Sequence, residues 1–536
     1  MSSETNMNYR ILWDNNIILD LFLLRTDLNP HIREIEDITA KKHIPIYISS
    51  SQLHNIKFVM KSHFKKAGIN KDPNQIISKF IQTHEVKILK TPSYVNLELW
   101  AKSEDLEDEL IMASANLFNM HVLTRDNDLI RKMGDRAIHP KDYKHFICSF
   151  NKSKISMLDL TSQTLYMYGK LEQNIDNIIS RSNFILGDEV KQLEEKIAQY
   201  TGTRHAIGVA SGTDALLLSL RAFAIKKKGK EYWNKEDLVI TTPFTFTATG
   251  DTILRSGATP LFVDIAPETY NIDPLKIKQA LKVYGSRVVG IVPVHLYGLA
   301  CYMDEIMEIA KEYGLFVVED CAQAFGARYK EKKVGSFGDT GCFSFFPSKN
   351  LGAFGDAGAI TTDDDELAPI IKMLRVHGGK DKYNVDHIGY KARLDTIQAA
   401  IILAKLKYID EFNERRRKIA EIYNRELANI DGLILPITYD PSPMTDIYHV
   451  YHQYTIRVAD GKRDALQRHL KENGIDSMVY YPVPLHKMKV FINNGMEIFG
   501  GLEKSEVAAK SVLSLPIEPL MEKREIKKVC ELLRAV

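Results

Sequence analysis

Cysteine is scarce in this 536-residue chain. The five cysteines, Cys148, Cys301, Cys321, Cys342 and Cys530, are scattered, with no Cys-x-x-Cys pair and no matching histidine cluster. That spacing excludes a zinc ribbon and a disulfide framework. Long apolar runs are also missing: no segment approaches the ~18 apolar residues that would span a bilayer, so no membrane partner is expected. The opening Met1-Ser-Ser-Glu-Thr5 is polar and lacks a signal-peptide pattern, which makes the cytoplasm the expected compartment. Charge of one sign is lacking too. The formal net charge is +2, which gives no global pull toward nucleic acid or membrane. Basic clusters occur at Lys226–Lys230 and Arg415–Lys418, and the second, in a helical stretch with interspersed acids, reads as a solvated helix face. There is no internal repeat and no low-complexity stretch.

What is present is ordinary for globular protein: 45% apolar and 26% charged residues. The length predicts roughly two to four domains. A polar link, Asn151-Lys-Ser-Lys154, follows a compact α/β pattern that includes apolar runs at Ile11 and Leu12, Ile44–Ile48 and Met120–Leu123. From residue 155 a longer alternation begins. Candidate strands are His205–Ala210, Leu238–Thr242, Pro260–Asp264, Val288–Val294, Leu315–Glu319 and Gly341–Phe345, separated mostly by helical patterns. Strands alternating with helices predict a mostly parallel sheet covered on both faces, with ligands beyond the carboxyl ends of its strands. A long amphipathic helix from about residue 393 leads into a third, mixed region. The expected division is 1–150, 155–395 and 396–536.

Lys349 lies in Gly341-Cys-Phe-Ser-Phe-Phe-Pro-Ser-Lys-Asn-Leu-Gly-Ala-Phe-Gly-Asp356, among apolar residues, a proline and glycines. This context predicts a partly desolvated amine on a tight turn, which loses proton affinity and can attack an aldehyde. The competing reading is a loop lysine whose head reaches solvent. The aldehyde that the context suggests is pyridoxal phosphate, whose site needs an amine, an acid at the pyridine nitrogen, a phosphate cradle and a flat group over the ring. Ser211-Gly-Thr-Asp-Ala215 opens a helix after a strand and offers free N–H groups to a phosphate, though Ser-Gly-Thr is also a common helix cap. Asp320 ends an apolar strand and can hold the ring nitrogen protonated, or cap a helix. Gln323 can bond the ring oxygen. Ser344 can reach the phosphate or be a core serine, and Phe246 can cover the ring or be core.

Together these residues resemble a family, the fold-type I nucleotide-sugar aminotransferases (DegT family). The likeness runs from about Ile155 to the C-terminus through Phe184-Ile-Leu-Gly187, Ser211-Gly-Thr213, Pro293-Val-His-Leu-Tyr-Gly298, Glu319-Asp320 with Gln323, Phe343-Ser-Phe-Phe-Pro-Ser-Lys-Asn350, Arg393-Leu-Asp395 and Val479-Tyr-Tyr-Pro-Val-Pro-Leu-His486. The resemblance implies an α/β protein of the pyridoxal-phosphate-dependent transferase fold type I, with a mostly parallel sheet and a smaller C-terminal α+β domain. It implies that Lys349 bonds the cofactor and moves the proton, and that Asp320 partners the pyridine nitrogen. Gln323 would contact the ring oxygen, Gly212, Thr213 and Ser344 would form the phosphate cup, and Phe246 would stack on the ring. One position departs: many relatives carry asparagine where this chain has Lys391, which would meet the phosphate of a neighbouring subunit as a point charge. The reaction implied is a two-half transamination from an amino acid, with glutamate the expected donor, to a nucleotide-linked keto-sugar. Thr242-Pro-Phe-Thr-Phe246 and Arg393-Leu-Asp-Thr-Ile-Gln398 look like enzymes aminating C3 of UDP-linked 2-acetamido-3-keto sugars or their uronic acids. His295, Tyr297, Tyr480, Tyr481 and His486 are candidates for the sugar pocket, and Arg393 for a substrate carboxylate. Relatives in which histidine replaces the lysine are dehydratases, a branch that Lys349 disfavours. A homodimer is expected by the same resemblance.

The first 150 residues resemble a PIN-like domain, a small α/β nuclease fold, through Leu12-Trp-Asp-Asn-Asn-Ile-Ile-Leu19, Glu107-Asp-Glu-Leu-Ile111 and Thr124-Arg-Asp-Asn-Asp128. That likeness implies Asp14, Asp108, Asp126 and Asp128 as ligands of Mg²⁺ or Mn²⁺, and RNA as a partner through this domain alone. The family's further acid after the second strand is absent from Ser49-Ser-Ser-Gln-Leu-His-Asn55. Two other whole-chain readings stand beside the aminotransferase: a metal-dependent ribonuclease whose large region dimerises or senses a metabolite, and a non-catalytic regulator that binds the cofactor.

Overall fold

The protein is described by a computed structural model covering residues 154–534, apart from 382 and 438–446; in the first 152 residues it describes strand segments 11–13, 46–49, 86–89, 121–123 and 137–138 and positions 56, 60, 77, 124 and 131. The chain forms two compact units, Met1–Lys152 and Ser153–Val536.

In the first unit the strands Ile11–Trp13, Ile46–Ser49, Val86–Leu89, His121–Leu123 and Ala137–Ile138 form one sheet in the order third, second, first, fourth, fifth. Every pairing is parallel. Three of these strands coincide with the apolar runs read from sequence. Val86–Leu89, interrupted by Lys87, and the two-residue Ala137–Ile138 carry too short a pattern to be read. Asp14, Asp108, Asp126 and Asp128 lie outside the described residues.

The second unit is organised by an eight-stranded sheet. Across it run Glu497–Ile498, Thr259–Phe262, Leu238–Thr241, Val288–Ile291, Phe316–Asp320, Thr340–Ser344, Gly358–Thr362 and His205–Val209. All pairings are parallel except those of Gly358–Thr362, which is antiparallel to both neighbours. Each of the six strands read from sequence is present. The two additional ones are Gly358–Thr362, which returns against Thr340–Ser344, and the short edge pair Glu497–Ile498.

Runs such as Leu238-Val-Ile-Thr241 and Phe316-Val-Val-Glu-Asp320 form central strands because apolar side chains on both pleat faces find a core. Leu238 and Ile240 enter one apolar cluster and Val239 the other; Val317 enters the first, Phe316 and Val318 the second. The helix Gly212–Lys228 covers the second face with its buried run Leu216–Ala224. Helix Asp188–Thr201 covers the first with Val190, Leu193 and Ile197.

The consequence for function is directional. His205–Val209, Leu238–Thr241, Phe316–Asp320 and Thr340–Ser344 run the same way, so the segments after them leave the sheet on one side. Further along, the helical stretch expected from residue 393 is two helices, Thr396–Leu406 and Ile409–Leu427. They lead to an antiparallel sheet of Leu433–Ile434, Tyr454–Val458 and Val512–Leu515 with its own core, in which Tyr423, Tyr454, Ile456 and Leu513 are fully buried. Among the described residues no helix is long and apolar enough to cross a membrane.

Candidate active site

Those strand ends open on a cavity of about 650 Å³. Lys349 reaches it from the turn after Thr340–Ser344, where its backbone N–H donates to the Phe346 carbonyl at 2.8 Å. Burial strips water from the Lys349 amine and pushes its proton affinity down to about 8, against the raising influence of the Asp320 charge. A nucleophilic amine must be neutral. The rate at which Lys349 captures an added aldehyde is therefore expected to rise with pH up to about 8 and then level, where an ordinary lysine would still be gaining up to about 10.4. Stopped-flow mixing of the cofactor-free protein with aldehyde between pH 6 and 10 measures it, and a rate still climbing above pH 9 would refute a desolvated Lys349.

Asp320 stands at the end of the central strand and is almost wholly buried. Burial pushes its carboxyl up, while the Thr249 hydroxyl, the Ala322 N–H and the charge of Lys349 hold it down. Thr249 Oγ1 donates to Oδ2 at 2.8 Å and the Ala322 N–H to Oδ1 at 3.2 Å. A desolvated carboxylate of this kind favours a cationic partner arriving in the cavity. The adjacent Glu319 points to the other face of the strand. There it accepts N–H donors from Gly335, Phe337 and Gly338 at 2.8–2.9 Å.

Gln323 is oriented by its neighbours. Its Oε1 accepts from the Tyr297 N–H at 2.7 Å and its Nε2 donates to the Tyr481 hydroxyl at 2.8 Å, which leaves the second Nε2 hydrogen for a ligand. At the far end of the cavity the helix Gly212–Lys228 begins, capped by Ser211, whose Oγ accepts from the Asp214 N–H at 3.0 Å. A Cβ on Gly212 would sit 2.6 Å from the Cβ of Ser344. Only glycine lets the first turn approach the strand end so closely, and the result is a small cup of N–H groups and hydroxyls at a positive dipole end. Phe246 lines the same cavity with its ring largely exposed, 6.2 Å from Tyr481.

Of the residues read from sequence, Gly212, Thr213, Phe246, Asp320, Gln323, Ser344, Lys349, Tyr480 and Tyr481 come together around this cavity. His295, Tyr297 and His486 do not line it. His295 is fully buried behind the wall: the Cys301 N–H donates to its Nδ1 at 3.0 Å, so Nε2 carries the proton toward Glu319. His295, Glu319 and Cys321 are the grouping of metal-ligand type among the described residues, but these hydrogen bonds already occupy the histidine and the carboxylate. Tyr297 gives its hydroxyl to the Tyr480 carbonyl and so props the wall. His486 pairs with Glu506 at 3.1 Å. Lys391 is exposed and Arg393 half-buried, on a segment that bridges Val376 and Val209, outside the cavity lining.

Thr249, Asp356, His452 and Gln453 also line the cavity and were not singled out from sequence. Thr249 had a signal: it lies three residues after Phe246, one helical turn along. His452 had none, since it approaches from the third region of the chain.

The residues fit pyridoxal phosphate. The cup at Gly212, Thr213 and Ser344 suits its phosphate, buried Asp320 its ring nitrogen, the spare Gln323 hydrogen its ring oxygen, and desolvated Lys349 its aldehyde.

Comparison with known proteins adds a family and relatives. Residues 167–534 match the DegT/DnrJ/EryC1/StrS aminotransferase family. The chain is 44% identical over 377 residues to a pleiotropic regulatory protein of Geobacillus stearothermophilus, covering 70% of this chain and 97% of the relative. It is 40% identical over 380 residues to the UDP-N-acetyl-3-dehydro-α-D-glucosamine 3-aminotransferase of Acidithiobacillus ferrooxidans, covering 71% of this chain and 97% of the relative. Among solved structures it resembles NtdA from Bacillus subtilis with bound cofactor PMP, with a TM-score of 0.61 and 32% identity over 68% of this chain and 81% of that one.

Proposed function

Because the chain belongs to the DegT/DnrJ/EryC1/StrS aminotransferase family, we propose that it is a pyridoxal-phosphate-dependent enzyme that transfers the amino group of glutamate to C3 of a UDP-linked 2-acetamido-3-keto sugar or its uronic acid. Its place would be the biosynthesis of amino sugars for surface polysaccharide. The observation that carries the reading is the gathering of Lys349, Asp320, Gln323, Phe246 and the Gly212–Ser344 cup around one cavity. The choice of sugar is supported by the Acidithiobacillus ferrooxidans relative.

Bound pyridoxal phosphate supplies the electron sink and carries the amino group between the two substrates. The chain supplies the rest. With the cofactor held there, Lys349 Nζ would be the group that takes the proton from the α-carbon of the amino acid and delivers one back, in the reverse sense in the second half. Asp320 would keep a proton on the ring nitrogen, Phe246 would cover a ring face against water, and the Gly212 turn would hold the phosphate. The balance is one amino acid and one keto-sugar in, one 2-oxo acid and one amino-sugar out.

A homodimer belongs to this reading. Phe184, Ile185, Phe346 and Phe354 are large apolar side chains left exposed in the single chain, and a second copy would cover them. For the first 150 residues the PIN-like reading is supported by the five-stranded parallel sheet.

The test is turnover with glutamate, followed by 2-oxoglutarate release, against UDP- and dTDP-linked 3-keto sugars. The expected result is release that needs the keto-sugar, with kcat/KM at least about tenfold higher for the UDP-linked 2-acetamido compound, a difference of ~1.4 kcal/mol. A preference for dTDP-sugars would overturn the nucleotide assignment. Absence of turnover with every keto-sugar would overturn the reaction.

A further inference from the structure

Three buried polar residues from separate segments form a hydrogen-bonded chain in the wall of the cavity. Thr245 follows the strand Leu238–Thr241, Thr249 sits in the first turn of the helix Thr247–Arg255, and Asp320 ends the strand Phe316–Asp320. All three line the cavity, and none is more than 5% exposed. Thr249 Oγ1 lies 2.8 Å from Oδ2 of Asp320, a residue 71 positions away in sequence, and 3.1 Å from Thr245 Oγ1. Among the described residues neither threonine side chain has another hydrogen-bond partner.

The direction of the chain follows from the chemistry of its ends. A carboxylate only accepts, so the single Thr249 hydroxyl proton goes to Oδ2. The Thr249 oxygen is then left to accept, and the proton between the two threonines comes from Thr245. The other carboxylate oxygen, Oδ1, accepts from the Ala322 N–H at 3.2 Å, a bond that closes within two residues of Asp320 itself. Among the described residues, the Thr249 bond is the one that ties this carboxylate to another element. A buried carboxyl keeps its charge only where donors replace the lost water. Burial pushes Asp320 up, and of the groups that hold it down the Thr249 hydroxyl comes first, ahead of the Ala322 N–H, Lys349 and His295. Tyr481 and the thiols of Cys301, Cys321 and Cys342 also feel its charge, without a hydrogen bond to its side chain.

We propose that Thr249 is a positioning residue for the transfer, its hydroxyl, ordered by Thr245, holding the Asp320 carboxylate in one orientation at the cavity. This rests on Asp320 being the partner of the ring nitrogen. Donors on two different oxygens fix the plane of the carboxylate, and each oxygen keeps a lone pair for an N–H arriving in the cavity. Thr249 acts through Asp320, since its one hydroxyl proton is already given.

The test reads Asp320 itself, not only turnover. Carboxyl ¹³C NMR follows the titration of Asp320 in the cofactor-free full chain for the parent, Thr249→Val and Thr249→Ser, with Asp320→Asn assigning the signal. Valine has the shape of threonine and no hydroxyl. With it the midpoint should rise by roughly one pH unit, the worth of one hydrogen bond to a charged group. Serine keeps the hydroxyl, and its midpoint should stay near that of the parent. In the loaded protein, ¹⁵N NMR of labelled pyridoxal phosphate should show a ring nitrogen that is protonated in the parent and less so in Thr249→Val, because a carboxylate that has lost its donor holds a proton more tightly itself. A threonine that only packs its helix would leave the Asp320 midpoint unmoved. Equal midpoints for the parent and Thr249→Val, or equal shifts for Val and Ser, would therefore overturn the role of Thr249 alone. An unprotonated ring nitrogen in the parent would instead overturn the reading of Asp320. Should Thr249→Val fail to fold, the hydroxyl proton of Thr249 is followed by NMR in the parent and in Asp320→Asn, with Thr249→Ser assigning it. The expected result is a signal that moves upfield when the carboxylate becomes an amide, and an unmoved signal would overturn the proposal.

Discussion

Lys349→Ala should reduce transamination by on the order of 10⁴-fold or more, because the proposed function gives one amine two tasks, as the nucleophile toward the cofactor and as the acid-base at the α-carbon. Its position explains why no other residue stands in. Lys391 and Arg393 lie outside the cavity lining, so among the described residues Lys349 is the amine of this pocket. The measurement has two parts. Borohydride treatment followed by mass spectrometry should leave pyridoxal phosphate bonded to the parent and not to the variant. Turnover should be lost while the unfolding temperature stays near that of the parent, since Lys349 faces the cavity and belongs to neither apolar cluster of the sheet. Parent-like turnover in Lys349→Ala would refute the mechanism outright.

Asp320→Asn should lower kcat by roughly 10²–10³-fold with little change in KM, the pattern of an interaction that matters as charge develops. The substitution is isosteric, and the Thr249 hydroxyl can still donate to the amide oxygen, so the fold should persist. What disappears is the negative charge to which the proposed function gives the task of keeping a proton on the ring nitrogen. A second effect has a defined sign. The Asp320 charge raises the proton affinity of Lys349, which burial has pushed down to about 8. Its removal should move the pH midpoint for aldehyde capture further down, below about 8. A variant with parent-like kcat, or a midpoint that moves up, would place the essential carboxylate elsewhere.

Much of the large unit was legible because its chemistry sits at strand ends. The motifs around Ser211, Asp320 and Lys349 are local, and each couples an apolar run to a turn. Gly358–Thr362 was not legible as a strand. Gly-Ala-Ile-Thr-Thr carries a weak pattern, and its burial comes from His205–Val209 and Thr340–Ser344 on either side. The sugar-pocket candidates show a different loss. His295, Tyr297, Tyr480 and Tyr481 all occur in motifs of the resemblance, yet only the two later tyrosines line the cavity. A turn after a strand can present its side chains to either face of the wall, and sequence spacing does not choose.

Sequence alone therefore determined the alternation that makes a parallel sheet, the turn that desolvates Lys349, and the carboxylate and glycine turn that complete its chemistry, because each depends on residues close together in the chain. Tertiary structure alone decided that Glu319 turns away while Asp320 faces the cavity. It also decided that Thr249 holds Asp320, and that His452 joins the lining of the cavity that Lys349 reaches. Those outcomes depend on strand direction, pleat phase and contacts between segments up to a hundred residues apart, and they exist only once the two cores have packed against the sheet.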